Sequence, residues 1–211
     1  MPHAVNDRAR AERAYTCDAL LEVGPTATTL CEGWTAHDLL VHLYIRDGEP
    51  SNAIGAVVPA FAGRYEARVA ELKRGNYAEL VAKLRQGPPR RSLFSIPAVD
   101  AAANATEFLI HGMDVRRPNE IPEPARDEEF QAWAWSQLAG MGKLMLRGTA
   151  VPLALEWAGR PAQVVRVGKG ERLVTVIGEP TELLLYAFGR RAAAGVRFVG
   201  LDEAVAEARG R

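Results

Sequence analysis

Leu146-Arg147-Gly148-Thr149-Ala150-Val151-Pro152-Leu153-Ala154-Leu155-Glu156-Trp157 is the stretch in which the chain changes its hydrophobic period. Before Gly148 apolar residues recur at helical spacing. After it Val151, Leu153, Leu155 and Trp157 alternate, as residues on opposite faces of a strand do. The switch predicts two domains, a helical one over 1–148 and a small α+β one over 149–211. Downstream, Val165 with Val167, then Leu173, Val174 and Val176, separated by turns at Ala158-Gly159 and Lys169-Gly170, predict three short strands in a meander. Glu179-Pro180-Thr181-Glu182 opens a helix through Leu184, Leu185 and Phe188, with proline at a first-turn position where no amide hydrogen is needed. A strand at Val196 to Val199 and a terminal helix over Leu201 to Arg209 complete this half.

Upstream, each helix has a readable start or stop. Arg8 to Glu22 places Ala14, Cys17, Leu20 and Leu21 on one stripe and ends at Gly24-Pro25. Thr35-Ala36-His37-Asp38 has the form of a capping box, and the apolar run Leu39-Leu40-Val41 carries that helix to about Asp47, before Gly48 and Pro50. From Phe61 a helical pattern runs through Tyr65, Val69 and Leu72, breaks near Gly75-Asn76, and resumes with Leu80, Val81 and Leu84 up to Gly87-Pro88-Pro89. Asp100 precedes a helix over Ala101 to Arg116, and Asp127 caps another through Phe130, Trp133, Leu138, Met141 and Leu146. The fold class is therefore mainly α, an antiparallel helix bundle followed by the α+β appendage.

The 211 residues have globular proportions, 48% hydrophobic and 25% charged. Lys+Arg 26 balances Asp+Glu 26, so no net field favours nucleic acid or an anionic membrane surface. No apolar run approaches the roughly 20 residues of a membrane span, and Met1 to Arg13 lacks the apolar stretch of a signal peptide. These features predict a cytoplasmic protein. Cys17 and Cys31 lack metal-ligand spacing and read as reduced, inert thiols. Ser92, Ser95 and Ser136 lack a G-x-S-x-G setting, and Gly168-Lys169-Gly170 and Gly178 read as turn glycines, not a phosphate cradle. Arg90-Arg91 and Arg116-Arg117 read as solvated pairs at helix ends.

Of the four histidines, His3 and His37 read as exposed, whereas His42 and His111 lie among apolar neighbours in helix interiors. Glu107, His111 and Asp114 are spaced four and three apart; at about 100° per residue they share a stripe roughly 60° wide. Asp38, His42 and Arg46 repeat every four residues on the earlier helix. If the two faces oppose, His42, Glu107 and His111 give the two imidazoles and one carboxylate of an open catalytic metal site. The plainer alternative makes Glu107–His111 a helical pair, Asp38 a cap and His42 a satisfied core residue. Asp114 either pairs with Arg117 or orients His111. Arg46 and Arg116 are candidates for receiving a substrate carboxylate, and Asp38 and Asp114 for general-base work.

The chain resembles the DinB-like, mycothiol-dependent maleylpyruvate isomerase superfamily, especially an actinobacterial branch of predicted metal-binding proteins. The resemblance is carried by Glu12-Arg13-Ala14, Val23-Gly24-Pro25, Cys31-Glu32-Gly33-Trp34-Thr35, Asp38-Leu39, His42-Leu43, Arg46, Gly87-Pro88-Pro89-Arg90, Asn104, Glu107-Phe108, His111 and Asp114-Val115-Arg116-Arg117. Val174-Thr175-Val176, Gly178-Glu179-Pro180, Glu182-Leu183-Leu184-Leu185 and Phe188-Gly189-Arg190 resemble the small C-terminal domain of the group, a sterol-carrier-like appendage. It implies a DinB-like four-helix bundle with a divalent metal on His42, Glu107 and His111, zinc by preference with Ni or Fe(II) fitting the same ligands. It further implies a small-molecule substrate and a thiol such as mycothiol as co-substrate, used for isomerisation or S-transfer by a monomer or homodimer. A non-catalytic metal or small-ligand binding protein and a metal-dependent hydrolase are the alternatives. Relatives carry an acidic residue after the ligand His, where Gly112-Met113-Asp114 stands here.

Overall fold

The computed structural model of the chain describes residues 2–53, 55, 58–88 and 97–210. Arg90-Arg91, Ser92 and Ser95 lie outside the described residues, as does the side chain of His3. The protein is mainly helical with one small four-stranded sheet, and it divides into units Met1–Pro124 and Ala125–Arg211. Among the described residues no helix is long and apolar enough to cross a membrane.

The first unit contains α1 (Pro2–Val23), α2 (Ala36–Gly48), the one-turn α3 (Pro50–Ala53), α4 (Ala62–Lys73), α5 (Tyr77–Arg85) and α6 (Pro97–Arg116). Gly24, at φ +77°, ends α1 and donates its amide to the Leu20 carbonyl, a closure an L-residue enters at a cost. The capping box of α2 is complete: Thr35 accepts from the Asp38 amide while Asp38 accepts from the Thr35 amide. Asn76 caps α5 by accepting from the Glu79 amide, which starts a new helix after the break at Arg74 to Asn76. Helix α6 begins at Pro97, a turn earlier than the Asp100 start read from the sequence. Cys17, Leu20, Leu39, Leu40, Leu43, Leu80, Leu84 and Phe108 form the apolar core of this unit, with α1 packed chiefly on α6.

The second unit begins with α7 (Glu128–Met145), so the division falls at Pro124 and not at the period change near Gly148. Helix α7 packs on α8 (Pro180–Ala187) and on β2 (Val164–Val167), burying Phe130, Ala134, Leu138 and Gly142. Gln131 fastens it there. Its amide nitrogen reaches Thr181 Oγ1 at 3.3 Å while its carbonyl oxygen accepts from the Thr181 backbone at 3.2 Å. A helical period identifies the helix but not the neighbour that covers its apolar face, and α7 covers the later sheet unit.

The sheet corrects the expected meander. Its order is β2-β1-β3-β4, with β1 (Leu153–Trp157) antiparallel to β2 but parallel to β3 (Val174–Gly178), and β4 (Arg197–Val199) antiparallel to β3. After β2 the chain crosses the start of β1 at Gly168 (φ +78°) and Gly170 (φ +146°), then enters β3 on the other side. A Cβ at Gly168 would lie 3.3 Å from Pro152 Cα, so close backbone passage requires glycine here. The crossing makes β1 the central strand, which is why Leu153, Ala154, Leu155 and Trp157 are all buried where a meander edge would alternate. Helix α9 (Asp202–Ala208) packs on β3.

Candidate metal centre

Helix α6 supplies Glu107, His111 and Asp114 from one face, and α2 supplies His42. Ligand-capable atoms of His42, Glu107 and His111 all lie within 4.8 Å of one another. The imidazole rings of His42 and His111 are edge to face, 5.4 Å between centroids, and the Trp34 ring lies 5.2 Å from that of His42. His111 Nε2 is 3.4 Å from Glu107 Oε2. Its other nitrogen, Nδ1, is 2.8 Å from Asp114 Oδ2, and Asp114 is fully buried. This is the contact that the orienting reading of Asp114 calls for, and Arg117 donates to Glu123 at 2.6 Å.

Cys31 is part of this environment, which the reading of an inert thiol missed. Its Sγ donates to Asp114 Oδ2 at 3.2 Å, and Cys31, His111 and Asp114 form a second group of potential ligands that shares His111. Cys31 is placed by the loop between α1 and α2, where Leu30 donates its amide to the Asp114 carbonyl at 3.0 Å. Sequence spacing had no means of linking a loop cysteine to a helix 83 positions away. Cys17 does fit the inert reading: burial raises its thiol to about 11.

On the opposite flank, Arg46 Nη2 stands 3.3 Å from Glu107 Oε1, and its Nη1 donates to Asn104 Oδ1. Asn104 in turn donates to Asp47 Oδ1 at 2.7 Å, and Arg13 Nη2 is 3.2 Å from the same oxygen. A continuous polar chain thus runs from Arg13 through Asp47, Asn104, Arg46, Glu107, His111 and Asp114 to Cys31, tying α1, α2 and α6 together. Asn104 could have been suspected, since it lies one turn before Glu107 on the same stripe. Arg13–Asp47 pairs residues too distant in sequence for periodicity to connect.

The remaining candidates are engaged elsewhere. Arg116 donates to the Pro122 and Tyr15 carbonyls, each at 2.8 Å, and is buried, so its guanidinium fixes the end of α6 and does not offer a substrate clamp. Asp38 combines its cap with Lys73 Nζ at 2.6 Å. Burial opposes its ionisation, but Lys73 and Thr35 together hold its pKa below the usual aspartate range. It performs the capping role and not that of a general base. His37, expected exposed, is half-buried with its ring edge-on to Tyr77 at 5.3 Å, and burial beside Lys73 lowers its pKa.

Electrostatics concentrate a demand for positive charge on His111. Burial disfavours the imidazolium, yet hydrogen bonds with Asp114, Cys31 and Glu107 outweigh it and raise the pKa to about 10. Burial likewise pushes Glu107 up, but His111 and Arg46 keep it below the ordinary glutamate value and ionised. A proton or a cation satisfies the same need, and ligation requires the proton to leave. The donor set of two imidazoles and a carboxylate fits a divalent transition metal, and a ligating His characteristically donates its second N–H to a carboxylate.

Gly112, which follows His111, lies at a tight helix contact. A Cβ there would lie 3.0 Å from Thr16 Oγ1, where α1 and α6 make their close approach. Thr16 is itself fixed between the Glu12 and Phe108 carbonyls at 2.8 and 3.0 Å. Position 112 faces this helix contact, so any side chain there would have to displace Thr16.

No protein-family model, curated protein or solved structure matches the chain.

Proposed function

We propose that the helical unit is a DinB-like antiparallel bundle in which His42, Glu107 and His111 hold a divalent metal, zinc by preference, for an enzyme of the mycothiol-dependent isomerase or S-transferase type. The observation that carries the reading is the two-sided use of His111, with Nδ1 on buried Asp114 and Nε2 grouped with His42 and Glu107. Asp114 fixes the ring and its tautomer, so the lone pair of neutral His111 falls on Nε2. When bound, the metal would acidify an entering thiol or water and so supply a nucleophile at neutral pH. Arg46 holds Glu107 from the side away from His111, and its cation draws an acidic small-molecule substrate toward that flank. Trp34 packs against the His42 ring and so helps to hold that imidazole in place.

The test is elemental analysis of untagged protein purified without added metal, with Glu107→Ala and His111→Ala alongside. Stoichiometric metal in the wild type, lost from both variants, supports the site. Protein that is metal-free and takes up neither Zn, Ni nor Fe(II) overturns it. Metal-dependent conjugation of an activated electrophile with mycothiol then supports the transferase reading. Turnover of esters without thiol supports a hydrolase, and bound metal with no turnover a binding protein.

A further inference from the structure

A recess in the second unit lies between the end of α7 and β2. It has a volume of about 430 Å³, and Lys143, Arg147, Arg166 and Lys169 line it. Ligand pockets commonly measure about 300–1,000 Å³. Buried Leu146 and Val167 contribute apolar lining, and Thr149 also lines the recess.

The four cations come from separate elements. Lys143 stands in the last turn of α7 and Arg147 just beyond its Leu146 cap, where the helix dipole favours positive charge. That accounts for two of them only. Arg166 lies outward on β2 between buried Val165 and Val167, and Lys169 sits in the glycine turn that crosses Pro152. Among the described residues, no ion pair engages any of these four side chains, although the same unit pairs Arg160 with Glu128 and Arg172 with Glu207. In a chain of net charge +0, four unneutralised cations around one recess are a local excess that their mutual repulsion opposes. A multiply charged anion would relieve that repulsion, and guanidinium groups match phosphate oxygens in forked geometry.

We propose that this recess binds a small ligand carrying phosphate groups, with the charged end on Arg166 and Lys169 and an apolar portion against Leu146 and Val167. The site is independent of the metal centre and stands or falls separately.

Titration of the full-length protein with inorganic pyrophosphate, followed through backbone amide resonances, is the direct test. Shifts centred on Thr149, Gly168 and Lys169, with saturation, are expected, and they separate binding here from chelation of metal elsewhere. Arg166→Glu combined with Lys169→Glu should weaken binding by about tenfold or more, whereas Arg64→Glu combined with Arg74→Glu, the same charge change at exposed positions in α4 and at its C-terminal cap, should not. Sedimentation with phosphatidic acid vesicles against phosphatidylcholine vesicles identifies the source: binding of free pyrophosphate supports a soluble ligand, and binding of phosphatidic acid vesicles alone, lost in the first pair, supports a lipid headgroup. Equal weakening by both pairs, or binding of neither probe, overturns the proposal.

Discussion

The two units bury different chemistry. The first holds Glu12, Arg13, Asp47, Asn104, His111, Asp114 and Arg116 in its interior, whereas among the described residues of the second no charged side chain is buried, and Thr181 and the Tyr186 hydroxyl, which donates to the Ala208 carbonyl, are its buried polar groups. The second unit is conventional: Leu153, Leu155, Val174, Val176, Leu183, Leu184 and Leu185 exclude water around a central strand. Burying charge lowers stability unless each group is matched, and matched apolar residues would serve stability as well or better. The first unit therefore carries an interior that stability alone does not require. Its polar chain passes through the candidate ligands Glu107 and His111 on its way to Cys31, and departures from local rules of this kind are expected where a fold builds a site.

The contrast is broken most forcefully by Asp47→Ala, which takes the carboxylate from buried Arg13 and from Asn104. A loss of about 3–5 kcal/mol is expected in denaturant unfolding of the first unit, with the sheet of the second keeping its hydrogen-exchange protection. A loss below 1 kcal/mol would mean that the buried pair behaves like a surface one. Zinc should act in the opposite direction. At about a hundred times its dissociation constant, zinc should stabilise the first unit by about 2.7 kcal/mol and slow exchange in α2 and α6 without affecting β1 and β3. Protection gained equally in both units would remove the assignment to His42, Glu107 and His111.

Smaller effects sharpen the comparison. Thr35→Ala removes half of the α2 capping box and should cost about 1 kcal/mol by thermal unfolding, with faster exchange at the start of that helix. Acid provides a graded probe. Asp38 and Glu49 both have folded pKa values below the ordinary 3.8 and 4.5, burial being outweighed by Lys73 and Thr35 for Asp38 and by Arg68 and Asn52 for Glu49. Each favours the deprotonated folded state, so their stabilisation is complete above those ordinary values and disappears as pH falls through the lowered ones. Exchange in Ala36–Gly48 should therefore accelerate from about pH 4.5 downward. Lys73→Met should shrink that dependence, because it removes the partner of Asp38. A profile identical to wild type would show that water screens the pair completely.

Much of the helix pattern was legible because its signals are local. A threonine three residues before an aspartate, an asparagine before a helical run, and a glycine at positive φ each act on backbone groups within one turn. The stripe Glu107, His111, Asp114 was legible for the same reason, since 3.6 residues per turn fixes which side chains share a face. His42 joined it only through the assumption that two faces oppose, and the structure brings the three together. Cys31 was not legible as a neighbour of Asp114, and neither was the engagement of Arg46 by Glu107 and Asn104.

The sequence by itself determined where most helices and strands begin and end, which residues are apolar on each, and that one α6 face gathers two carboxylates and an imidazole. Only the tertiary structure decided that α7 covers the sheet unit, that β1 and β3 run parallel, that Asp114 holds His111 while Arg116 holds backbone carbonyls, and that four cations surround one recess. The physical reason is range. Caps, turns and periodicity are set by neighbours along the chain, whereas the partner of a buried charge or an apolar face is chosen by close packing among segments that the sequence keeps far apart.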